Sequence, residues 1–308
     1  MTWFWLSLIA LLFWSGADTF SKLGCRDAGD KYGYLKMVTA VGTVMGLHAC
    51  FEIFVNKVDI SLSVILTYLP VSLFYISSMA LGYLALRYIE LSISSPICNA
   101  SGAIVAVVCL ATGGLDEGIT GWAKIVVLGA VFLVCAGVIG LGIVDFTEDD
   151  EARAERQKAS NYRYAKSWIA ILIPILYCLL DAAGTYADSV ILETLDENSA
   201  NCAYELTFFL AGLLSFVYVK LIRKQSYLPK AEGWKYAGAL CETAGQFAYV
   251  FALADSEHVV FTVPIISAYC AASVLWSRLF LKEKLSPKHY LCVGLIVLGI
   301  VVLGVFDI

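Results

Sequence analysis

Long apolar runs alternate with short polar breaks from one end of the chain to the other. A helix needs roughly 20 mostly apolar residues to cross a hydrocarbon layer of ~30 Å. Ten such runs can be marked, at approximately 3–23, 34–55, 64–86, 91–112, 122–144, 168–192, 200–222, 233–254, 258–280 and 289–306. Only Arg87 to Glu90 separates the third run from the fourth, and only Asp255 to Glu257 the eighth from the ninth. Merged, either pair would make a helix of ~70 Å, too long for a bilayer to cover. The expected fold class is an all-α integral membrane protein of ten transmembrane helices. The first run, MTWFWLSLIALLFW, has no basic segment before it and no A-x-A-like site after it, so it is expected to stay as a span rather than be removed as a signal peptide.

Composition agrees with the pattern. The 308 residues are 60% hydrophobic and 15% charged, with a mean hydropathy of +0.78, outside the range of a soluble domain of this size. The position of each charge therefore says more than the net value of −5. Of the 21 Lys and Arg, all but Lys57 and Lys124 lie in the loops after odd-numbered runs or at the run ends that border them. Short cytoplasmic loops collect these residues, so both termini are expected outside, in a plasma or inner membrane. No basic domain points to nucleic acid. The ten cysteines are scattered without metal-ligand spacing, so they read as packing thiols, and no metal or cofactor is expected.

The longest hydrophilic stretch, FTEDDEARAERQKASNYRYAK, runs from Phe146 to Lys166 and turns from acidic to basic. It reads as a solvated cytoplasmic linker between two halves, 1–145 and 167–308. The halves carry short matches in the same order. Thr19-Phe20 falls on Thr185-Tyr186, Ala85-Leu86 on Ala252-Leu253, Pro96 on Pro264, and Leu115-x-Glu117-x-Ile119-Thr120 on Leu281-x-Glu283-x-Leu285-Ser286. With five spans each, the copies would enter the membrane in opposite directions, as two inverted five-helix repeats.

The stretch FLKEKLSPKHYLCVGLIVLGIVVLGVF, its counterpart GLDEGITGWAKIVVLGAVFLVCAGVIGLGI, the Trp-Ser-Gly of the first span and the two prolines resemble the EamA-type ten-helix transporters of the drug/metabolite transporter superfamily. The resemblance covers essentially the whole chain and is nearly silent on substrate. It implies alternating access, with two inverted bundles rocking about a midplane site. Members of that type are usually drawn with both termini in the cytoplasm, whereas the charge count here gives the reverse. Pro96 and Pro264 are expected to kink their spans or to free a carbonyl. The glycines of the fifth and tenth spans, Gly129 and Gly294 among them, are expected to allow close packing. Glu117 and Glu283, at span ends, read as caps or loop partners before gates.

Acids inside the spans are the informative residues. A charge at mid-bilayer costs roughly 2.5–3.5 kcal/mol, so it must face a cavity, find a partner or be protonated. Asp181 lies ~20 Å into its span and Glu242 ~14 Å into its own, both near the middle. They are the candidate substrate-binding acids. Asp188, Glu52 and Glu205 fall nearer the outer ends, where water should reach them, and Asp18 is placed to pair with Lys22. Helical spacing puts Tyr177, Asp181, Gly184 and Asp188 on one face, and Glu242, Gln246 and Tyr249 on another. His48 and Glu52, at i and i+4, form a candidate proton-coupling pair. Trp3, Trp5, Trp122, Trp168 and Trp234 sit near span ends as an interfacial belt would. Trp14, Tyr75, Tyr177, Tyr249 and Tyr269 lie deeper, as packing residues or as the walls of a ligand cavity.

Acids and aromatic faces with no mid-membrane cation suit an amine or quaternary ammonium solute. The same acids could instead carry protons that drive uptake or export of a neutral or zwitterionic solute such as an amino acid. Phosphorylated solutes are disfavoured, since they call for Lys or Arg in the cavity. Enzymatic readings fare poorly. The Gly-x-Gly-Asp of intramembrane aspartyl proteases does not occur, three histidines cannot supply a zinc-protease motif, and no Walker sequence points to ATP. A channel is the alternative of another class, which the inverted repeat argues against.

Overall fold

The computed structural model of the chain describes residues 2–27, 29–112, 121–159, 164, 167–227 and 229–305. The repeat match at Leu115 to Thr120, with Glu117, and part of the linker lie outside the described residues. Every regular element among those described is helical. The first half holds α1 (Thr2–Cys25), α2 (Gly33–Phe54), α3 (Leu62–Ala85), α4 (Leu91–Cys98), α5 (Ser101–Thr112) and α6 (Gly121–Thr147). The linker contributes α7 (Asp150–Arg156). The second half holds α8 (Trp168–Ile191), α9 (Glu197–Phe216), α10 (Pro229–Leu253), α11 (Val259–Ser267), α12 (Tyr269–Trp276) and α13 (Pro287–Val305).

Six helical segments are long and apolar enough to cross a membrane by themselves: α1, α2, α3, Gly121–Leu141 of α6, α8, and Glu197–Ile222, which is α9 with its π-helical extension. The apolar exterior agrees with a lipid surround. Leu47, Ile125 and Phe132 are 69%, 72% and 70% exposed, while serines such as Ser7, Ser15, Ser72 and Ser78 are buried. A protein dissolved in water would invert that arrangement.

The fourth and ninth apolar runs are each broken into two short helices. Pro96 lies inside α4, yet α4 ends two residues later, at Cys98, and the chain re-enters helix at Ser101. The Asn99 side chain donates to the Ser95 carbonyl at 2.8 Å, taking up an acceptor near the end of α4. The matching interruption falls at Ala268, between α11 and α12, four residues beyond Pro264. Both interruptions thus follow their proline, which removes one helical donor and weakens the ladder around it.

Side-by-side packing follows a simple rule. Helix α1 lies along α10, α3 along α8, α2 along α9, α6 along α13, α5 along α11 and α4 along α12. Exchanging the first half for the second, helix for helix, leaves this set of partners unchanged. Small residues permit a close approach at the crossing of α2 and α9. A Cβ added to Gly42 would stand 2.6 Å from the Phe208 carbonyl oxygen and 2.9 Å from the Gly212 Cα. Both are backbone atoms, so only glycine fits there.

The linker is more than a solvated connection. Asp149 caps α7 by accepting from the Glu151 N–H at 3.1 Å, and Arg153, Arg156 and Gln157 are buried against the bundle. The basic character of this segment is partly spent in contacts with the helices rather than in water.

Candidate functional site

Where the two halves meet, a cavity of about 80 Å³ lies among α1, α3, α4, α5, α8, α9, α10, α11 and α12. The interruptions of the broken helices reach it, through Asn99 and Ser101 on one side and Ser267 and Tyr269 on the other. Irregular backbone is tolerated at membrane depth where it lines such a space. Three carboxylates face the cavity: Asp18 from α1, Asp181 from α8 and Glu242 from α10. All three are half-buried.

Their hydrogen bonds differ. Asp18 accepts from Ser95 of α4 at 2.5 Å and from Ser273 of α12 at 2.7 Å, joining helices of both halves. Asp181 accepts from the Ser101 hydroxyl at 2.7 Å. Ser101 opens α5, so the positive end of that helix stands near the carboxylate. Glu242 faces the indole of Trp14, whose N–H makes no well-formed hydrogen bond among the described residues. The Gln246 Nε2 and the hydroxyls of Tyr83 and Ser21 are likewise buried without a partner there, and all four donors line the cavity. Unmatched buried donors call for a ligand or water to complete them.

Aromatic rings form much of the wall. Trp14 packs on Tyr249 at 5.1 Å between ring centres and on Tyr269 at 5.8 Å, the latter edge-on. Tyr75 meets Tyr204 at 5.9 Å and Tyr249 at 6.2 Å, both edge-on. No lysine or arginine is among the described residues that line the cavity. The space therefore offers negative charge, ring faces and a few neutral donors.

At the end away from the linker, hydroxyls close the cavity. The Tyr75 and Tyr249 hydroxyls are 2.6 Å apart, and both lie within hydrogen-bond distance of the Thr185 hydroxyl, at 3.2 and 3.3 Å. Behind them, Asp188 accepts from Tyr68 at 2.6 Å and from Tyr75 at 3.4 Å. At the linker end, the Lys22 ammonium donates to the carbonyls of Leu86 and Ile89, both at 2.6 Å. Glu283, from the second half, accepts from the N–H groups of Leu91 and Ser92 at 3.3 and 3.0 Å, capping α4 of the first.

The structure places the six sequence-derived binding candidates, Trp14, Tyr177, Asp181, Glu242, Gln246 and Tyr249, in this one cavity. It does not bring His48 and Glu52 to it. They lie between α2 and α9, where His48 Nδ1 is 2.8 Å from Glu205 and Nε2 is 3.5 Å from Glu52. The closer partner of His48 is thus Glu205, from the other half, and not its neighbour on the same helix.

Three placements read from the sequence are corrected. Asp188 is fully buried and held by two tyrosines, instead of meeting water at an outer mouth. Glu205 and Glu52 are buried as well, at 0% and 7% exposed. Asp18 pairs with serines and not with Lys22, whose ammonium turns toward the linker end. Depth along a helix does not reveal which way a side chain faces, and for Asp188, Glu205 and Asp18 a neighbouring helix supplies the partner. The serines that hold Asp18 and Asp181 were also missed. For Ser95 the signal was the hydroxyl-rich opening of the fourth run, Leu-Ser-Ile-Ser-Ser-Pro, unusual in a segment otherwise apolar.

Residues 168–305 match the model described as the EamA-like transporter family. No curated protein matches the chain. A solved crystal structure of a protein 13% identical in sequence superimposes with a TM-score of 0.61, covering 96% of this chain and 94% of the other. At that identity the likeness speaks for the fold alone.

Proposed function

We infer that this chain, whose residues 168–305 match the EamA-like transporter family, carries a small amine-bearing or quaternary ammonium solute across the membrane by alternating access. The observation that carries this reading is the cavity itself: three carboxylates and several aromatic faces with no lysine or arginine among the described lining residues. Carboxylates supply countercharge, and rings supply cation–π attraction worth roughly 0.5–2 kcal/mol each. The unmatched donors at Gln246 and Trp14 would serve a polar group at the other end of the solute.

In this reading the ten apolar runs are ten spans in two inverted halves, with α4 plus α5 and α11 plus α12 each making one broken span. The exchange symmetry of the helix pairing supports that arrangement. The loop charges support both termini outside and the linker in the cytoplasm. The cavity of about 80 Å³ is smaller than the roughly 300–1,000 Å³ of ordinary ligand sites. Together with the contacts at both ends, this fits a closed, contracted state that must widen to admit solute.

A second reading, proton-driven carriage of a neutral or zwitterionic solute, has its own observation. His48 is held between Glu205 and Glu52 and is 28% exposed on its side chain, an arrangement suited to proton exchange with the outside. Thermal stabilisation of the purified protein by amines, quaternary ammonium ions and amino acids, measured at two pH values, tests both. Stabilisation by choline-like ions that Glu242→Gln weakens strongly and Asp181→Asn weakens less is the expected result. Stabilisation by amino acids alone, with a strong pH dependence, would favour the second reading. No stabilisation by any cation would remove the first.

A further inference from the structure

The linker-side end of the bundle carries a set of contacts that the transport reading has not used. Arg156 ends α7 and is buried. Its Nη1 donates to Glu90, in the turn between α3 and α4, at 3.1 Å. The same nitrogen donates to the Lys284 carbonyl, between α12 and α13, at 3.2 Å. Its Nε and Nη2 donate to Glu148, at the end of α6, at 3.1 and 2.9 Å. The next residue, Gln157, donates its side-chain amide to Glu90 as well, and its Oε1 accepts from the Tyr164 N–H at 3.1 Å. Tyr164 in turn lies under the Lys22 ammonium, which stands 4.4 Å from the ring centre.

One guanidinium therefore ties together the first half, the linker and the second half. Its anchor, Glu90, is 1% exposed and sits immediately before α4, the helix whose N-terminus Glu283 caps from the opposite half. Leu86 and Leu91, on either side of this turn, line the central cavity. Opening the cavity toward the linker requires the α3–α4 turn to part from the α12–α13 connection. It cannot do so while Arg156 holds Glu90 and the Lys284 carbonyl together.

We propose that the linker is a gate latch: Arg156 and Gln157, docked on Glu90, bar the linker-side mouth of the cavity and must withdraw before it opens to that side. The guanidinium fork suits the task, since one planar group serves Glu148, Glu90 and a carbonyl at once, which a lysine ammonium cannot do with the same geometry. The ties are charge-assisted and buried, so the barred state is strongly favoured while they last. The alternative, a linker that merely connects the halves, would leave cavity access indifferent to these residues.

This latch rests on the transporter reading only for its biological use, and its test does not need the solute. Cys98 is a free thiol that lines the cavity. In a variant that keeps Cys98 as its sole cysteine, a membrane-impermeant methanethiosulfonate is applied from the linker face of proteoliposomes. Arg156→Ala should raise the rate of Cys98 labelling by about tenfold or more, through a shifted population of the open state, and Arg156→Lys should raise it less. An unchanged rate in folded Arg156→Ala overturns the latch. Because that variant could misfold, a second arm joins Glu90→Cys to Gln157→Cys with a short bis-methanethiosulfonate, whose two disulfide links are reducible, in the cysteine-free background with Cys98 restored. Cross-linking before reagent addition should suppress Cys98 labelling from the linker face, and reduction should restore it. Labelling that continues in the cross-linked protein also overturns the proposal. Confirmed gating without stabilisation by any solute would remove the proposed substrate and leave the latch standing.

Discussion

Glu242→Gln isolates the contribution of charge in the cavity. Asp18 and Asp181 already have oxygen atoms engaged by serine hydroxyls, at 2.5 and 2.7 Å for Asp18 and 2.7 Å for Asp181, whereas Glu242 has only the imperfectly placed Trp14 indole. Glu242 is therefore the carboxylate with most capacity left for a ligand. A unit charge about 4 Å from a cation contributes on the order of 4 kcal/mol at an effective dielectric of 20. The amide dipole of glutamine retains part of that attraction, so a loss of about 3 kcal/mol is expected. At roughly 1.4 kcal/mol per factor of ten, the Kd for a quaternary ammonium ion should rise by on the order of 100-fold. Glutamine is nearly isosteric, and removing one of three clustered acids relieves repulsion, so the apo protein should be no less stable. Calorimetry in lipid nanodiscs, with choline as the probe, measures the change. Asp181→Asn should weaken binding less and Asp18→Asn least, since the serine contacts of the last join both halves. A Glu242→Gln protein that keeps its melting temperature and binds choline within threefold of the parent would refute the assignment of this side chain as countercharge.

Other expectations follow from single contacts. Tyr68→Phe leaves one oxygen of buried Asp188 without its donor at 2.6 Å, and should lower stability by about 1–3 kcal/mol, read as a fall in melting temperature. Gly42→Leu cannot be accommodated against the Phe208 carbonyl and the Gly212 backbone. It should separate α2 from α9 and abolish a monodisperse peak in detergent chromatography, while a leucine at Gly121, with nothing near its added Cβ, should be tolerated. Glu283→Gln removes the charged cap of α4. It should cost roughly 0.5–2 kcal/mol and raise hydrogen exchange at Leu91 and Ser92 relative to the rest of α4; unchanged exchange would refute the cap. His48→Gln breaks the contacts to Glu205 and Glu52; if the histidine exchanges the driving protons, transport in liposomes should lose its dependence on an imposed pH gradient, and retention of that dependence would refute the role.

The repeated apolar runs determined most of the architecture, because a bilayer dictates helix length and forbids unpaired backbone in lipid. Helical spacing also placed Tyr177 with Asp181 and Glu242 with Gln246 and Tyr249 correctly on their faces, since those relations lie within one helix. It had no access to relations between helices. Asp188 sits seven residues along α8 from Asp181, and nothing in α8 reports that Tyr68 and Tyr75 of α3 cover it. Likewise, Asp18 and Lys22 are correctly spaced for a pair, but two serines from distant helices donate to the first and two carbonyls accept from the second. Arg156 looked like one more charge in a solvated linker, because its three partners come from residues 8, 66 and 128 positions away. Apolar length and helical spacing located the long helices and the residues too polar for lipid, though not the breaks after Pro96 and Pro264. What each polar residue meets depends on packing between helices, because a buried charge is stabilised by whichever neighbour that packing brings within hydrogen-bond reach.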